Sequence, residues 1–128
     1  KTRYNHILTL IKDLNISSKV ILKSSVPYSE LPNYIKAADC IVIPSLAEGF
    51  GFSAAEACAM EKPIVASNTT SLPEVVSGKY VLVEPKSHKA IANGIKKIFK
   101  KQYTETKLKR FILKQNIENY IKIYKKLI

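Results

Sequence analysis

Four short apolar runs, "KVIL" (19–22), "CIVIP" (40–44), "PIVAS" (63–67) and "YVLVE" (80–84), are separated from one another by stretches with helical spacing. That alternation restricts the fold more than any other feature of the chain. "CIVIP" and "PIVAS" are apolar at nearly every position, as strands covered on both faces are. Before the first run, residues 4–14 set Ile7, Leu10, Ile11 and Leu14 on one helical face. After the break at Pro27, a helix is expected from about Ser29 to Ala38, with Leu31, Tyr34 and Ile35 pointing one way. Further helices are expected from near Phe52 or Ser53 to Met60, from Pro73, and from about Ser87. Strands and helices that trade places in this way predict βαβ units, that is, an α/β fold with a Rossmann-like parallel sheet and flanking helices.

At 128 residues the chain is one domain or part of one. No run approaches the roughly 18 apolar residues of a membrane span, and the start does not resemble a signal peptide, so the chain reads as soluble and intracellular. It opens on Lys1 and not Met, which suggests a segment of a longer protein or a processed product. Cys40 and Cys58 lack metal-ligand spacing and sit among apolar residues, as reduced core thiols do.

The net charge of +11 is unevenly placed: residues 1–85 carry eight basic and eight acidic residues, whereas residues 86–128 carry thirteen and two. The basic end implies solvated lysine-rich helix faces, an anionic membrane surface, or nucleic acid, in that order of preference. Only Arg3 and Arg110 offer the bidentate fork that suits phosphates, which sets nucleic acid last. Beyond Gly94 there is neither Gly nor Pro, and residues 105–128 read as one long helix or two joined ones. Leu108, Phe111, Ile112, Tyr120, Ile121, Tyr124, Leu127 and Ile128 recur at spacings of three and four with lysines between them, an amphipathic stripe. The expected organisation is therefore a Rossmann-like domain over 1–102 and a basic amphipathic helical extension over 103–128.

"SLAEGFGFSAAEACAM" (45–60) holds the candidate site. It follows a buried strand, and open α/β sheets bind ligands outside the carboxyl ends of their strands. Gly49 and Gly51 let backbone approach a ligand and tolerate positive φ, while the first N–H groups of the following helix suit an anion such as a phosphate. Carboxylates repel phosphate, so Glu48 and Glu56 are better suited to hydroxyl donors on either side of it. A nucleotide sugar has hydroxyls at both ends and phosphates between them. The competing explanation is local: Ser53 with Glu56, and Ser71 with Glu74, both fit the S-x-x-E capping box, in which the Glu merely satisfies a backbone donor.

"IVIPSLAEGFGFSAAEACAMEKPIVASNTTSLPEVV" (41–76), extended back through "ELPNYIKAAD" (30–39) and forward to "YVLVEP" (80–85), resembles the donor-binding segment of retaining GT-B glycosyltransferases. The family in question is the large mannosyltransferase and sucrose-synthase-like one marked by Glu-x7-Glu. The resemblance implies the C-terminal half of a GT-B fold and transfer of a sugar from a nucleoside diphosphate to an acceptor hydroxyl with retention, without a metal or other cofactor. It implies a catalytic position near the donor's sugar or phosphates for Glu48, and ribose hydroxyls for Glu56. Backbone from Gly49 through Phe50, Gly51 and Phe52 to Ser53 would hold the pyrophosphate and sugar; Ser24, Ser25 and Val26 would face the base; Ser67 to Leu72 would look toward the cleft.

This chain departs from the family at Ser24 and Glu61, where Gly is usual, and at "NTTS" (68–71), where glycines are frequent. The first strands of the donor domain, the Arg and Lys that neutralise pyrophosphate, and the N-terminal acceptor domain have no counterpart in it. His6 and His88 lie far from the motif and read as surface residues. In the family's strand order 3-2-1-4-5-6, the run at 19–22 is either an edge strand separated from 40–44 or one shifted to pair with it directly. Strand edges left open would favour association. The implied partners are a nucleotide sugar, the missing acceptor domain and an anionic membrane surface, with a cytoplasmic location that is peripheral on the inner face of the membrane. Two rivals remain, a non-catalytic nucleotide-binding module and a basic nucleic-acid-binding domain.

Overall fold

The computed structural model describes residues 2–127, which fall into two compact units divided between Leu31 and Pro32. Ile128, the last member of the expected stripe, lies outside the described residues.

The first unit contains α1 (Thr2–Asp13) and a 3-10 turn (Ser17–Lys19). Helix α1 stops because Asn15 takes φ 53°, after which Asn15 N–H donates to Lys12 O and Ile16 N–H to Ile11 O. This is the left-handed C-terminal closure that Asn tolerates better than most residues. The expected strand at 19–22 does not form. Val20 is extended (φ −121°, ψ 124°), yet no neighbouring strand among the described residues takes up its main-chain groups, and Ile21 is 85% exposed. An extended run without a ladder partner remains irregular chain.

Helix α2 (Leu31–Ala37) leads into the second unit, where a four-stranded sheet has the order β1 (Ile41–Ile43), β2 (Ile64–Ser67), β3 (Lys79–Val83), β4 (Thr104–Glu105). The first three strands are parallel and β4 is antiparallel to β3. The direct pairing of 19–22 with β1 is thus absent from the sheet, in which β1 is outermost.

Every residue of β2 is buried, so both faces of the sheet are covered there. On one face Val65 and Val83 meet Ile98 of α5 (His88–Phe99), with Ile91, Ile95 and Tyr103 around them. Gly94 allows this: a Cβ there would stand 2.8 Å from a methyl of Val65 and 2.8 Å from one of Val83. By strand alternation Ile64 and Ala66 face the other way, toward α3 (Phe52–Ala59) and α4 (Leu72–Val75), whose Ala54, Ala57, Cys58, Leu72 and Val75 are buried. Cys58 Sγ accepts the Ser77 N–H, and both cysteines are free thiols. Burial raises the Cys40 thiol above its ordinary range. Val42 departs from the expectation for "CIVIP": it is exposed, so β1 is not covered on both faces.

The tail also differs from its expected form. Residues 104–105 pair with β3, residues 106–112 are irregular, and α6 begins at Leu113 (Leu113–Leu127). A continuous helix from 105 is prevented because this segment is held extended: Thr106 N–H donates to Gly78 O and Lys109 N–H to Ser77 Oγ. Within α6 no residue is buried, and Ile117, Tyr120, Ile121, Tyr124 and Leu127 are all exposed. Among the described residues, no helix is long and apolar enough to cross a membrane.

Candidate functional site

The loop after β1 and the loop after β2 lie side by side at the carboxyl ends of paired parallel strands, and three consecutive hydroxyls lock them together. Thr69 Oγ1 donates to Leu46 O (3.2 Å). Thr70 Oγ1 accepts the Glu48 N–H (3.0 Å). Ser71 Oγ lies 3.0 Å from Glu48 O and 2.9 Å from Phe50 O, sharing its one proton between the two carbonyls. Thr70 adopts φ 45° to do so, a left-handed conformation unusual for a β-branched residue. This is the segment where the family frequently has glycine, and the strain explains why glycine suits it.

Glu48 is therefore fixed at its N–H and at its carbonyl, and its half-buried carboxylate accepts from Ser45 Oγ at 2.8 Å. A carboxylate oriented by a neighbouring hydroxyl still keeps lone pairs for a donor from outside.

The turn that follows is set by Gly51, which is buried, has φ 94° and stands as N-cap of α3 without a side-chain cap. A Cβ on Gly51 would come 2.9 Å from Leu72 Cδ2, so the turn rests directly on α4. Gly49 differs from the expectation made for both glycines. Its φ is not positive, and a Cβ there would meet nothing within 4 Å. The helical ladder engages at Ala54 and Ala55, whose N–H groups both donate to Gly51 O, leaving the N–H groups of Phe52 and Ser53 outside it. Gly49, Phe52 and Ser53 are exposed, so this turn is open to a ligand.

Neither serine caps its helix as the capping box requires. Helix α3 starts at Phe52, which puts Ser53 inside the helix and leaves the N-cap to Gly51. Ser71 is the N-cap of α4, but its hydroxyl serves Glu48 and Phe50 and makes no cap hydrogen bond. Glu56, one turn into α3, is half-buried. Glu61, the second departure from the family's glycine, takes φ 57° and closes α3, with its N–H donating to Cys58 O and that of Lys62 to Ala57 O.

Not all of "Ser67 to Leu72" opens outward. Ser67 and Leu72 are fully buried, and Ser67 Oγ has no hydrogen-bond partner among the described residues. Ser24, Ser25 and Val26 belong to the first unit, in irregular chain, the two serines exposed and Val26 half-buried. His6 and His88 are exposed. Among the described residues no group of three His, Cys, Asp or Glu side chains could hold a metal ion.

Sequence reasoning placed 67–72 toward the cleft but missed the clamp that Thr69, Thr70 and Ser71 form, and it missed Ser45. The signal available for them was three hydroxyl residues in succession immediately after a buried strand.

The mostly parallel sheet with its flanking helices matches a GT-B Rossmann-like domain. The model of the family "Glycosyl transferases group 1" matches residues 1–123, and the chain belongs to that family. It is 43% identical over 70 residues to the O-antigen chain mannosyltransferase B of Escherichia coli, covering 55% of this chain and 18% of that protein. It is 26% identical over 110 residues to the O-antigen chain mannosyltransferase RfbU of Salmonella typhimurium, covering 86% and 31%. The sucrose-phosphate synthase structure from Thermosynechococcus elongatus superposes with a TM-score of 0.72 at 30% identity, over 79% of this chain and 26% of that one. The chain thus spans less than a third of the curated relatives it matches.

Proposed function

We propose that this chain is the donor-binding part of a glycosyltransferase that moves a sugar from a nucleoside-diphosphate sugar to an acceptor hydroxyl with retention of configuration. The open turn from Gly49 to Ser53, beside a Glu48 held at its N–H, its carbonyl and its carboxylate, is the observation that carries this reading. In it, the N–H groups of Phe52 and Ser53 at the start of α3 meet the pyrophosphate, with the helix dipole behind them. Glu48 stands next to the donor's sugar and accepts from its hydroxyls. Glu56 accepts from the ribose. The departing diphosphate is stabilised by such prearranged donors, without a protein nucleophile or a metal. The acceptor and the cations that complete charge neutralisation come from parts of the protein outside this chain. Membership of the family and the similarity to mannosyltransferases support the reaction class; the sugar and base are left open.

The exposed face of α6 favours a location as well. Its apolar stripe is bordered by Lys114 and Lys125, with Lys122 and Lys126 beyond them, and Glu118 is the helix's one acid. We propose that this helix rests on an anionic bilayer on the cytoplasmic side, each well-placed lysine contributing about 1 kcal/mol.

The deciding experiment is an NMR titration of the chain with UDP, GDP and ADP at millimolar concentration, since a site lacking its partner cations binds weakly, near ~4 kcal/mol. Shifts confined to 48–56, lost in Glu56→Ala, are expected. Shifts without turnover after the rest of the protein is supplied would favour a non-catalytic binding module. Tight, steeply salt-dependent binding of DNA or RNA would favour the nucleic-acid reading.

A further inference from the structure

We propose that Phe111 is a positioning residue for the Gly49–Ser53 turn, so that the C-terminal strap of the chain forms part of the donor site's support. The proposal deepens the donor-site reading and, in its ligand-binding half, rests on it.

The strap runs from β4 to α6 and is fastened along its length. Thr106 N–H donates to Gly78 O, and Lys109 N–H to Ser77 Oγ. Leu108 sits so close to Gly78 that a Cβ there would stand 2.9 Å from Leu108 Cδ2. Lys109 Nζ then donates to Glu74 O and Val76 O, the carbonyls at the end of α4. An ammonium at a helix C-terminus satisfies carbonyls that have no partner in the helix and complements its dipole.

Two residues later Phe111 meets the site. Its ring stands edge-on to Phe50, with centroids 5.0 Å apart and planes at 82°. Phe50 is also 5.0 Å from Phe52, tilted by 56°, so Phe50 is the middle ring of three. The positive edge of one ring against the negative face of another favours this arrangement beyond simple burial.

The fastening is thus double. Helix α4 is tied to the site loop at its start, through Ser71 to Glu48 and Phe50, and to the strap at its end, through Lys109. Phe111 joins the two by touching Phe50 directly. The backbone of Phe50 lies between Gly49, which has open space around it, and Gly51, which rests on Leu72, and the Phe50 carbonyl is held by Ser71. The ring of Phe50 is the handle on that turn, and Phe111 holds it.

The test compares Phe111→Ala, Phe111→Tyr and Tyr124→Ala with the parent chain, following the amide resonances of residues 49–53 in the free protein and nucleotide affinity by titration. Tyr124 is an exposed residue of α6 far along the helix from the strap and serves as the control for a change in the tail. Phe111→Ala is expected to move and broaden the amides of residues 49–53 and to weaken nucleotide binding about three- to tenfold, the scale of one aromatic pair. Phe111→Tyr restores both, and Tyr124→Ala changes neither. Amides of 49–53 that stay at their parent positions in Phe111→Ala overturn the proposal, whatever the titration gives. Amides that move while nucleotide affinity is unchanged overturn its ligand-binding half. If the amides respond but no nucleotide binds the parent chain, the donor-site reading fails and the hold of Phe111 on the turn stands.

Discussion

Thr70 Oγ1 accepts the Glu48 N–H across 22 residues of sequence while its own backbone is bent to φ 45°. A single residue both ties down the candidate catalytic loop and carries its strain. Thr70→Ala removes the acceptor and keeps the unfavourable φ, so it should cost about 1 kcal/mol in denaturant unfolding. Thr70→Gly loses the same hydrogen bond but relieves the backbone, and should unfold within roughly 0.5 kcal/mol of the parent. Equal losses for the two variants would mean that φ at this position is not strained.

The two glycines of the turn should separate stability from binding. Gly51→Ala meets both a positive φ and Leu72, and should lower stability by more than about 1 kcal/mol. Gly49→Ala places its methyl in open space and should change stability by less than about 0.5 kcal/mol. If the donor's phosphates approach the turn there, Gly49→Ala should nevertheless abolish nucleotide-induced NMR shifts. Undiminished shifts would move the ligand away from Gly49.

Glycine is missing where α3 and α5 end, and present where α5 packs against the sheet. Glu61 (φ 57°) and Lys101 (φ 57°) close α3 and α5 in the left-handed region, so Glu61→Gly and Lys101→Gly should each stabilise the fold by about 0.5–1 kcal/mol. Gly94→Ala, by contrast, forces a methyl against Val65 and Val83, and overpacking of about 1–3 kcal/mol should exceed the gain in helix propensity. Thermal unfolding of the three variants checks the signs; a more stable Gly94→Ala would show that α5 can move away from the sheet.

Cys40 gives a pH dependence of definite sign. Desolvation raises its thiol above the ordinary value of 9.0, so the folded chain keeps a proton that the unfolded chain releases first. Its contribution to stability is complete below that value and is lost as the pH rises through the folded-state value. Unfolding midpoints should therefore fall from pH 8 toward pH 10, and Cys40→Ala should lessen the fall. At neutral pH the thiol should react slowly with a disulfide reagent; rapid labelling in the folded state would contradict its burial.

What the sequence revealed, and what it hid, follows from how local each feature is. "CIVIP", "PIVAS" and "YVLVE" announced β1, β2 and β3 as short apolar runs between helical stretches, and β2, covered on both faces, is buried throughout. Ser87 announced α5, and its side chain does accept from Ala90 N–H. The run at 19–22 has the same composition, but a strand is completed only by a neighbour, which composition cannot reveal. β4 is two exposed residues, too short to leave a pattern. At the site, the glycines and carboxylates were legible as types. The clamp of Thr69, Thr70 and Ser71 was not, because a hydroxyl 22 or 23 residues away looks the same in sequence as a solvated one. Ser71 misled as a cap for the same reason, since it had a better-placed use for its proton.

The position of β1 has a practical consequence. Its main chain is paired with β2 on one side, and its carboxyl end carries the loop that holds Glu48. Such an edge is a template that reads an incoming strand by register and not by side chain. The backbone of Ile41 to Ile43 is thereby suited to pairing with a further strand, and a strand added there would lie directly beside the loop that holds Glu48.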